Sequence, residues 1–354
     1  MGVPRMSDDA PASRPRSRFW LFAPFTIVGL VIVAWCVAWF VIKDRTVDGL
    51  DAWLAREAAA GRQWTCADRG IGGFPFRIEL DCASVSLRQG ALTAQAGALQ
   101  AVAQIYRPRH VIARLNGPLQ VTEGGLATQV RWRQLESSVR SSREGLQQLA
   151  LIMDGGEMQV SGATPEPIRA AAERLEVYAR PSPSQTDESV DVVARAAGAA
   201  VPALDAFLGT PEPANLELQA RATHGLRLGG QSLPQEVERW REAGGALDVV
   251  LLKLAKGNGR FEARGRLGLD EERRVQGRLE GAAQGLEAVL RRFMGEGRAG
   301  LAAGLLGALA GRREPPRQAE SGPGLQPLPP LRFENGRVLL GPLPIPGLRL
   351  PPLY

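Results

Sequence analysis

Cysteine, histidine and lysine are all scarce in this 354-residue chain: it has three cysteines, two histidines (His110 and His224) and three lysines (Lys43, Lys253 and Lys256). There is no CxxC, no HExxH and no Cys/His set at metal-ligand spacing, which argues against zinc and dithiol chemistry. A GxSxG nucleophile elbow is missing as well. The one glycine-rich match, "GEGRAG" at 295–300, follows a helical pattern instead of a strand and puts Glu296 where a phosphate would lie, so it is not read as a nucleotide loop. His110 reads as a surface or strand-edge residue, the pair Glu271-Glu272 as solvated turn charge, and Trp132 and Trp240 as core aromatics. The expectation is a non-enzyme with no catalytic residue, no metal and no cofactor.

What is present is enough to fold. The chain is 44% hydrophobic and 23% charged, with a formal net charge of +6 and a pI near 9.8. The basic excess is interleaved with acids, as in Arg291, Arg292, Glu296 and Arg298, which is a solvated surface and not a phosphate track. No nucleic-acid partner is expected.

Compartment follows from "FWLFAPFTIVGLVIVAWCVAWFVI", Phe19 to Ile42, an uncharged run long enough to cross a bilayer as a helix. Arg5, Arg14, Arg16 and Arg18 precede it, while Lys43, Asp44 and Arg45 follow nearly balanced, so the positive-inside rule puts the N-terminus in the cytoplasm. A cleaved signal peptide would need a shorter apolar region and a small-x-small site, and a lipoprotein signal a small residue before its cysteine, whereas Trp35 precedes Cys36. The expected location is therefore the inner membrane, crossed once, with the bulk of the chain in the periplasm. With Cys36 in the anchor, the exported part keeps only Cys66 and Cys82, an even pair in an oxidising space, read as a disulfide.

Beyond the anchor, Val47, Leu50, Leu54 and Ala58 lie at helical spacing, with Gly61 as a stop. In "GFPFRIELDC", Phe74, Phe76, Ile78 and Leu80 alternate with Arg77, Glu79 and Asp81, reading as a half-buried strand whose start, at Pro75, belongs at a sheet edge. Two-residue periodicity continues through most of 84–180, punctuated by turn pairs such as Asn116-Gly117 and Gly124-Gly125. A short helix capped by Ser232 and ended by Gly244-Gly245 introduces a meander in which Phe261, Ala263, Leu267 and Leu269 share a face opposite Arg264 and Arg266. An apolar helical stretch over 286–311 and a proline-rich linker precede Asn335-Gly336, a two-residue hairpin signal. The fold class is mainly β with covering helices (α+β): a single N-terminal transmembrane helix, then a large, curved, mostly antiparallel sheet. The expected organisation is a cytoplasmic tail over 1–18, an anchor over 19–42, a periplasmic β-rich domain over 43–313, a linker over 314–330, and a hairpin with extended tail over 331–354.

The single anchor, the "C...IGGFPFRIELDC" element, "W..AGGALDV" at Trp240 to Val249, "GRLGLD" with its partner "GRLEG", and the terminal "NGRVLLGPLP" resemble a family of bacterial envelope proteins catalogued as domain of unknown function 2125 (DUF2125), over nearly everything from about residue 30 onward. The glycine-punctuated meander is also similar in pattern to AsmA-like periplasmic proteins. That likeness implies an elongated, curved sheet with an apolar inner surface suited to acyl chains.

Three functional readings follow, the last of them an enzyme with a dispersed site that no sequence motif displays. In one, the sheet presents a hydrophobic groove, lined by Phe74, Phe76, Ile78, Phe261 and Leu267, to phospholipids or other amphiphiles in envelope maintenance. In the alternative, the protein is a structural or interaction module that docks envelope proteins by sheet edges and its proline-rich tail, with those five side chains sealed in a core.

Overall fold

The structure is a computed structural model that describes residues 19–143, 145–183, 188–202, 205, 210–225, 233–285 and 324–354. The tail 1–18, the apolar stretch 286–311 and most of the proline-rich linker lie outside these residues, as do Ser232 and "GEGRAG".

Helix α1 (Phe19–Ala59) is one unbroken helix of 41 residues. At 1.5 Å per residue it is about 60 Å long. The sequence divides into an anchor and a separate amphipathic helix, but the charged junction at 43–45 does not interrupt the backbone. Thr46, just beyond it, turns its hydroxyl back to the carbonyl of Ile42 (2.8 Å), a bond made within a continuing helix. The helix stops at Gly61, whose φ of +80° ends it as the sequence leads one to expect.

The strands form one antiparallel meander. Its first part comprises β1 (Gln63–Ala67), β2 (Gly70–Gly72), β3 (Arg77–Cys82), β4 (Ser84–Gln89), β5 (Leu92–Ala96), β6 (Leu99–Gln104), β7 (Arg107–Leu115), β8 (Leu119–Glu123), β9 (Leu126–Arg131), β10 (Gln134–Ser141) and β11 (Leu146–Ser161). All but β11 are halves of longer strands, each broken once. β3 pairs with β2 and β6 while β4, its continuation, pairs with β1 and β5. In the same way β7 pairs with β6 and β10, and β8 with β5 and β9. The intact β11 takes β10 along its first half and β9 along its second. The breaks fall at Asp68, Ala83, 97–98, 116–118, 132–133 and Gly155, neighbours across the sheet, and so make a single crease. Backbone bonds such as Gly97 N–H to Asn116 O (3.0 Å) and Arg133 N–H to Asp154 O (2.9 Å) keep the strands paired through it.

The meander continues through β12 (Ile168–Pro181), β13 (Val190–Ala199), β14 (Ala214–Ala222), β15 (Leu247–Lys256), β16 (Gly259–Leu269) and β17 (Val275–Gln284), each paired with the next. Beyond β17 come β18 (Gln326–Pro327), β19 (Leu331–Glu334), β20 (Arg337–Leu340) and β21 (Leu343–Arg349). Asn335 and Gly336 both have positive φ, as the two-residue turn of the β19–β20 hairpin requires. Among the described residues no pairing joins this last hairpin to β1 or β2, so the sheet is not closed into a barrel. Helix α2 (Leu233–Glu242) crosses between β14 and β15, its Trp240 indole donating to the carbonyl of Thr223 at 2.7 Å.

Directly paired residues on antiparallel strands share a face. The register therefore reads out both faces of the sheet. One row runs Ile78, Ala103, Val111, Val139, Leu149, Ala179, Val192, Ala220, Val249, Gly265, Leu279, Leu331, Leu340, without a polar side chain. The neighbouring row, from Leu80 through Ala101, Ala113, Ser137, Leu151, Val177, Ala194, Leu218, Leu252 and Ala263 to Gly281, breaks the pattern only at Ser137. The reverse face carries Arg114, Glu136, Ile152, Glu176, Arg195, Glu217, Lys253 and Glu262 in one row. Its charges pair along the row, as in Arg114–Glu136 (3.1 Å) and Arg195–Glu217 (3.3 Å).

Candidate functional site

At one end of the sheet the turn before β3 rests against α1. Phe74 and Phe76 belong to this turn and not to the strand, which starts at Arg77. Their alternation with Ile78 is in phase with the strand but is produced by the turn around Pro75. β6 pairs with the whole of β3, but β2 reaches only Glu79 to Asp81, so Arg77 and Ile78 have a partner on one side alone and the start of the strand lies at an edge, as Pro75 leads one to expect. Pro75 is accommodated because it precedes the ladder and owes it no N–H.

The turn is held by three aromatic residues of the helix. The Trp35 indole donates to the carbonyl of Pro75 (2.9 Å) and the Trp39 indole to that of Arg77 (3.0 Å). Phe74 packs edge-on against Trp39 (5.3 Å between centroids) and stacks near Phe40 (6.3 Å), while Phe76 lies 6.0 Å from Trp35. Trp39 is 4% exposed, yet Phe74 and Phe76 remain 52% and 61% exposed on their outer sides. They continue the bare apolar surface of the helix, where Phe25 is 74% and Leu30 65% exposed.

Farther up, the helix lies along β1 and β2, the first edge of the sheet. Asp51 pairs with Arg69 (2.6 Å), Trp53 lies 6.1 Å from Trp64, and Glu57 accepts from Arg62 (2.6 Å) and from the Trp64 indole (3.3 Å). The Arg62 guanidinium in particular holds the Glu57 carboxyl below its ordinary range. The Cys66–Cys82 disulfide joins β1 to β3, one strand from each side of the crease (Cα–Cα 5.2 Å). The bond also explains a change of phase: Ile78, Leu80 and Cys82 are the apolar positions before the break, Val85 and Leu87 after it. Cys66 pairs with Val85, so its bond to Cys82 brings the two apolar sets to the same side.

The five residues expected to line a groove fall in two places. Ile78 starts the apolar row on β3. Phe261 and Leu267 share its face at the other end of the meander, packed around Val249, Ala263 and Leu279. Phe74 and Phe76 stand apart, on the helix. Burial changes along the face: Val111 is 36% and Leu216 38% exposed, whereas Val249 is 4% and Leu279 3%. Among the described residues, every member of that buried cluster lies on β14 to β17 or β19. No large side chain among the described residues is fully buried.

The residues set aside in the sequence sit in ordinary surroundings. His110 Nε2 is 2.9 Å from Ser138 Oγ, and the Trp132 indole donates to the Leu115 carbonyl (2.8 Å) beside the crease. Glu272 pairs with Arg274 (2.6 Å). Among the described residues no group of acids, histidines and cysteines is arranged to hold a metal.

A family model described as "Uncharacterized protein conserved in bacteria (DUF2125)" matches residues 39–348. The chain belongs to DUF2125. The match opens at Trp39, whose indole bonds to the Arg77 carbonyl, and runs into the last strand, so the DUF2125 region takes in the sheet and the Trp39 contact but starts after Trp35. No curated protein and no solved structure matches the chain. What sequence reasoning missed is the row structure, which appears only once each strand's partner is known.

Proposed function

We propose that this DUF2125 protein is anchored in the inner membrane by α1, with its N-terminus in the cytoplasm and its sheet in the periplasm. There the apolar face of the sheet takes up the acyl chains of phospholipids or other amphiphiles in envelope maintenance, without catalysing a reaction. The observation that carries this reading is the unbroken apolar row from Ile78 to Leu340 with a charge ladder behind it. Twelve strand spacings of about 4.8 Å give that row a length of roughly 58 Å, enough for several acyl chains side by side. Exposed apolar area costs about 25 cal/mol per Å² in water, so a face this long gains from a hydrocarbon occupant. The reverse face alternates its charge ladder with a mixed row, Val102, Ile112, Ser138, Ala150, Tyr178, Val193 and Gln219, so it is the less apolar of the two sides.

Support for the membrane reading comes from the bare helix. Apart from Trp35 and Trp39, the large apolar side chains from Phe22 to Val41 are mostly exposed, with little protein around them. Retention of the helix, as opposed to its removal as a signal, is favoured by Trp39, Asp51 and Glu57, which knit it to the sheet. The disulfide fits an oxidising compartment.

The test is a photo-reactive phenylalanine analogue at Val111 of the full chain, activated in native membranes. Phospholipid adducts, with phospholipid co-purifying in native mass spectra, are expected. Adducts to residues 286–311 or to another protein, with no lipid adduct, would overturn the reading in favour of a covered face or a docking module.

A further inference from the structure

Beside the turn that grips α1 lies a group of arginines that the apolar face does not use. Arg107 and Arg109 on β7, Arg140 on β10 and Arg143 in the following turn line a shallow depression with His110 and Ser141. His110 and Arg140 are directly paired across the two strands. All four guanidinium groups are exposed, and none has an acidic partner among the described residues. That sets them apart from the arginines of the charge ladder, such as Arg114 and Arg195, which are ion-paired. The sequence places one acid, Glu144, in the same turn, outside the described residues.

Their position relative to the helix gives the cluster a meaning. The Ile105 N–H bonds to the carbonyl of Phe76 (3.1 Å), so the β6–β7 turn adjoins the turn held by Trp35 and Trp39. Tyr106, at its tip, is 63% exposed. Trp35 lies eight residues before Lys43, the first charge after the apolar run, which places its level about 12 Å inside that boundary. Arg107 follows Tyr106 directly, and Gln104, its partner in the ladder, pairs with Arg77, whose carbonyl receives the Trp39 indole. Trp39 lies four residues before Lys43, about 6 Å inside that boundary, so the arginines start at that level with side chains long enough to reach the headgroups, and an exposed tyrosine beside them suits that interfacial layer.

We propose that Arg107, Arg109, Arg140 and Arg143 form a site for the phosphate of an anionic phospholipid headgroup in the leaflet from which the sheet rises. A guanidinium fork matches phosphate oxygens with two parallel hydrogen bonds, and four forks around one depression carry positive charge without an acidic partner among the described residues. The inference rests on the membrane reading of α1, and it adds a headgroup preference at the foot of the sheet to acyl binding on its face.

The full chain in mild detergent is offered equal amounts of phosphatidylglycerol and phosphatidylcholine, and bound lipid is counted by native mass spectrometry. Phosphatidylglycerol is expected to dominate, and its preference to fall about fivefold for each arginine replaced, as in Arg107→Gln/Arg140→Gln. Arg→Lys versions should keep most of it. The exposed, unpaired positions predict unchanged thermal unfolding, which separates site loss from misfolding. Equal retention of the two lipids, or a preference that survives all four Gln substitutions, overturns the proposal. Displacement of the bound lipid by millimolar inorganic phosphate alone also overturns it, since that marks a free-anion site. The Val111 photo-adduct reports acyl binding separately: its loss with an intact headgroup preference would strike only the acyl-groove reading.

Discussion

The Trp39 indole and the Arg77 carbonyl, 38 residues apart in the chain, meet at 3.0 Å and fix the helix to the first residue of β3. Trp39 is 4% exposed and Trp35, one turn earlier, 38%. Truncating a buried tryptophan costs about 3–5 kcal/mol, less where one side faces lipid or detergent. Trp39→Ala should therefore lower stability by about 3 kcal/mol and Trp35→Ala by clearly less. Thermal unfolding of both variants in one detergent checks this, and equal losses would refute the proposed role of Trp39.

Two glycines hold β16 and β17 together. A Cβ on Gly265 (φ +151°) would stand 2.2 Å from the Arg278 carbonyl oxygen, and one on Gly277 (φ +137°) 2.2 Å from that of Arg266. Neither contact can relax without parting the strands, so Gly265→Ala or Gly277→Ala should cost about 2 kcal/mol or more. At Gly268 the nearest atom to a new Cβ is 3.6 Å away. Gly268→Ala in urea unfolding is the matched control and should be mild.

The C-terminal residue docks on α2. Tyr354 donates its hydroxyl to Glu238 (2.6 Å), which also receives Arg241 and Arg273, and the Leu353 N–H bonds to the Arg273 carbonyl. The Arg241 guanidinium first, then the Tyr354 hydroxyl, hold the Glu238 carboxyl at about 2 against an ordinary 4.5. A depressed carboxylate adds stability that is complete above its unfolded value and is lost on the way down to its folded one. The tail should therefore stay docked above about pH 4.5 and loosen between there and about pH 2. Protection of the Leu353 amide, corrected for intrinsic exchange, should fall through that window, and Glu238→Gln should abolish the dependence. In the other direction, burial and then the Glu238 charge push the Tyr354 hydroxyl above its usual 10.0.

The Cys66–Cys82 loop should contribute about 3 kcal/mol in the chain-entropy view. Reduction, or Cys82→Ser with Cys66→Ser, is expected to lower the unfolding midpoint and to expose amides of β1 and β3 before those of β15 and β16. Uniform loss of protection across the sheet would show that the bond does not act locally at the crease.

Much of this fold can be read from residue order. An uncharged run of helix length, period-two alternation from Ser84 onward, the cysteine pair that follows the apolar run and the Asn335-Gly336 turn each have a local cause. The crease is not legible, because its six breaks use unrelated chemistry, from Asp68 to Ala83 to Gly155, and align only after pairing. Phe74 and Phe76 mislead for a definite reason: a proline turn happens to keep the strand's phase. The apolar rows are half legible. Each strand shows its own alternation, but which face joins which depends on register, and register is a property of pairs.

The unbroken course of α1 through residues 43–46 leaves the protein without a swivel. A sheet hung on a flexible tether could turn any side toward the membrane. With α1 in the bilayer as proposed, its azimuth would set the bearing of every strand, and a change in its tilt, as between thick and thin membranes, would swing the far turns through many ångströms. On that reading the protein stands as a mast with its sail fixed to it, and the direction in which its apolar side opens would be decided inside the membrane.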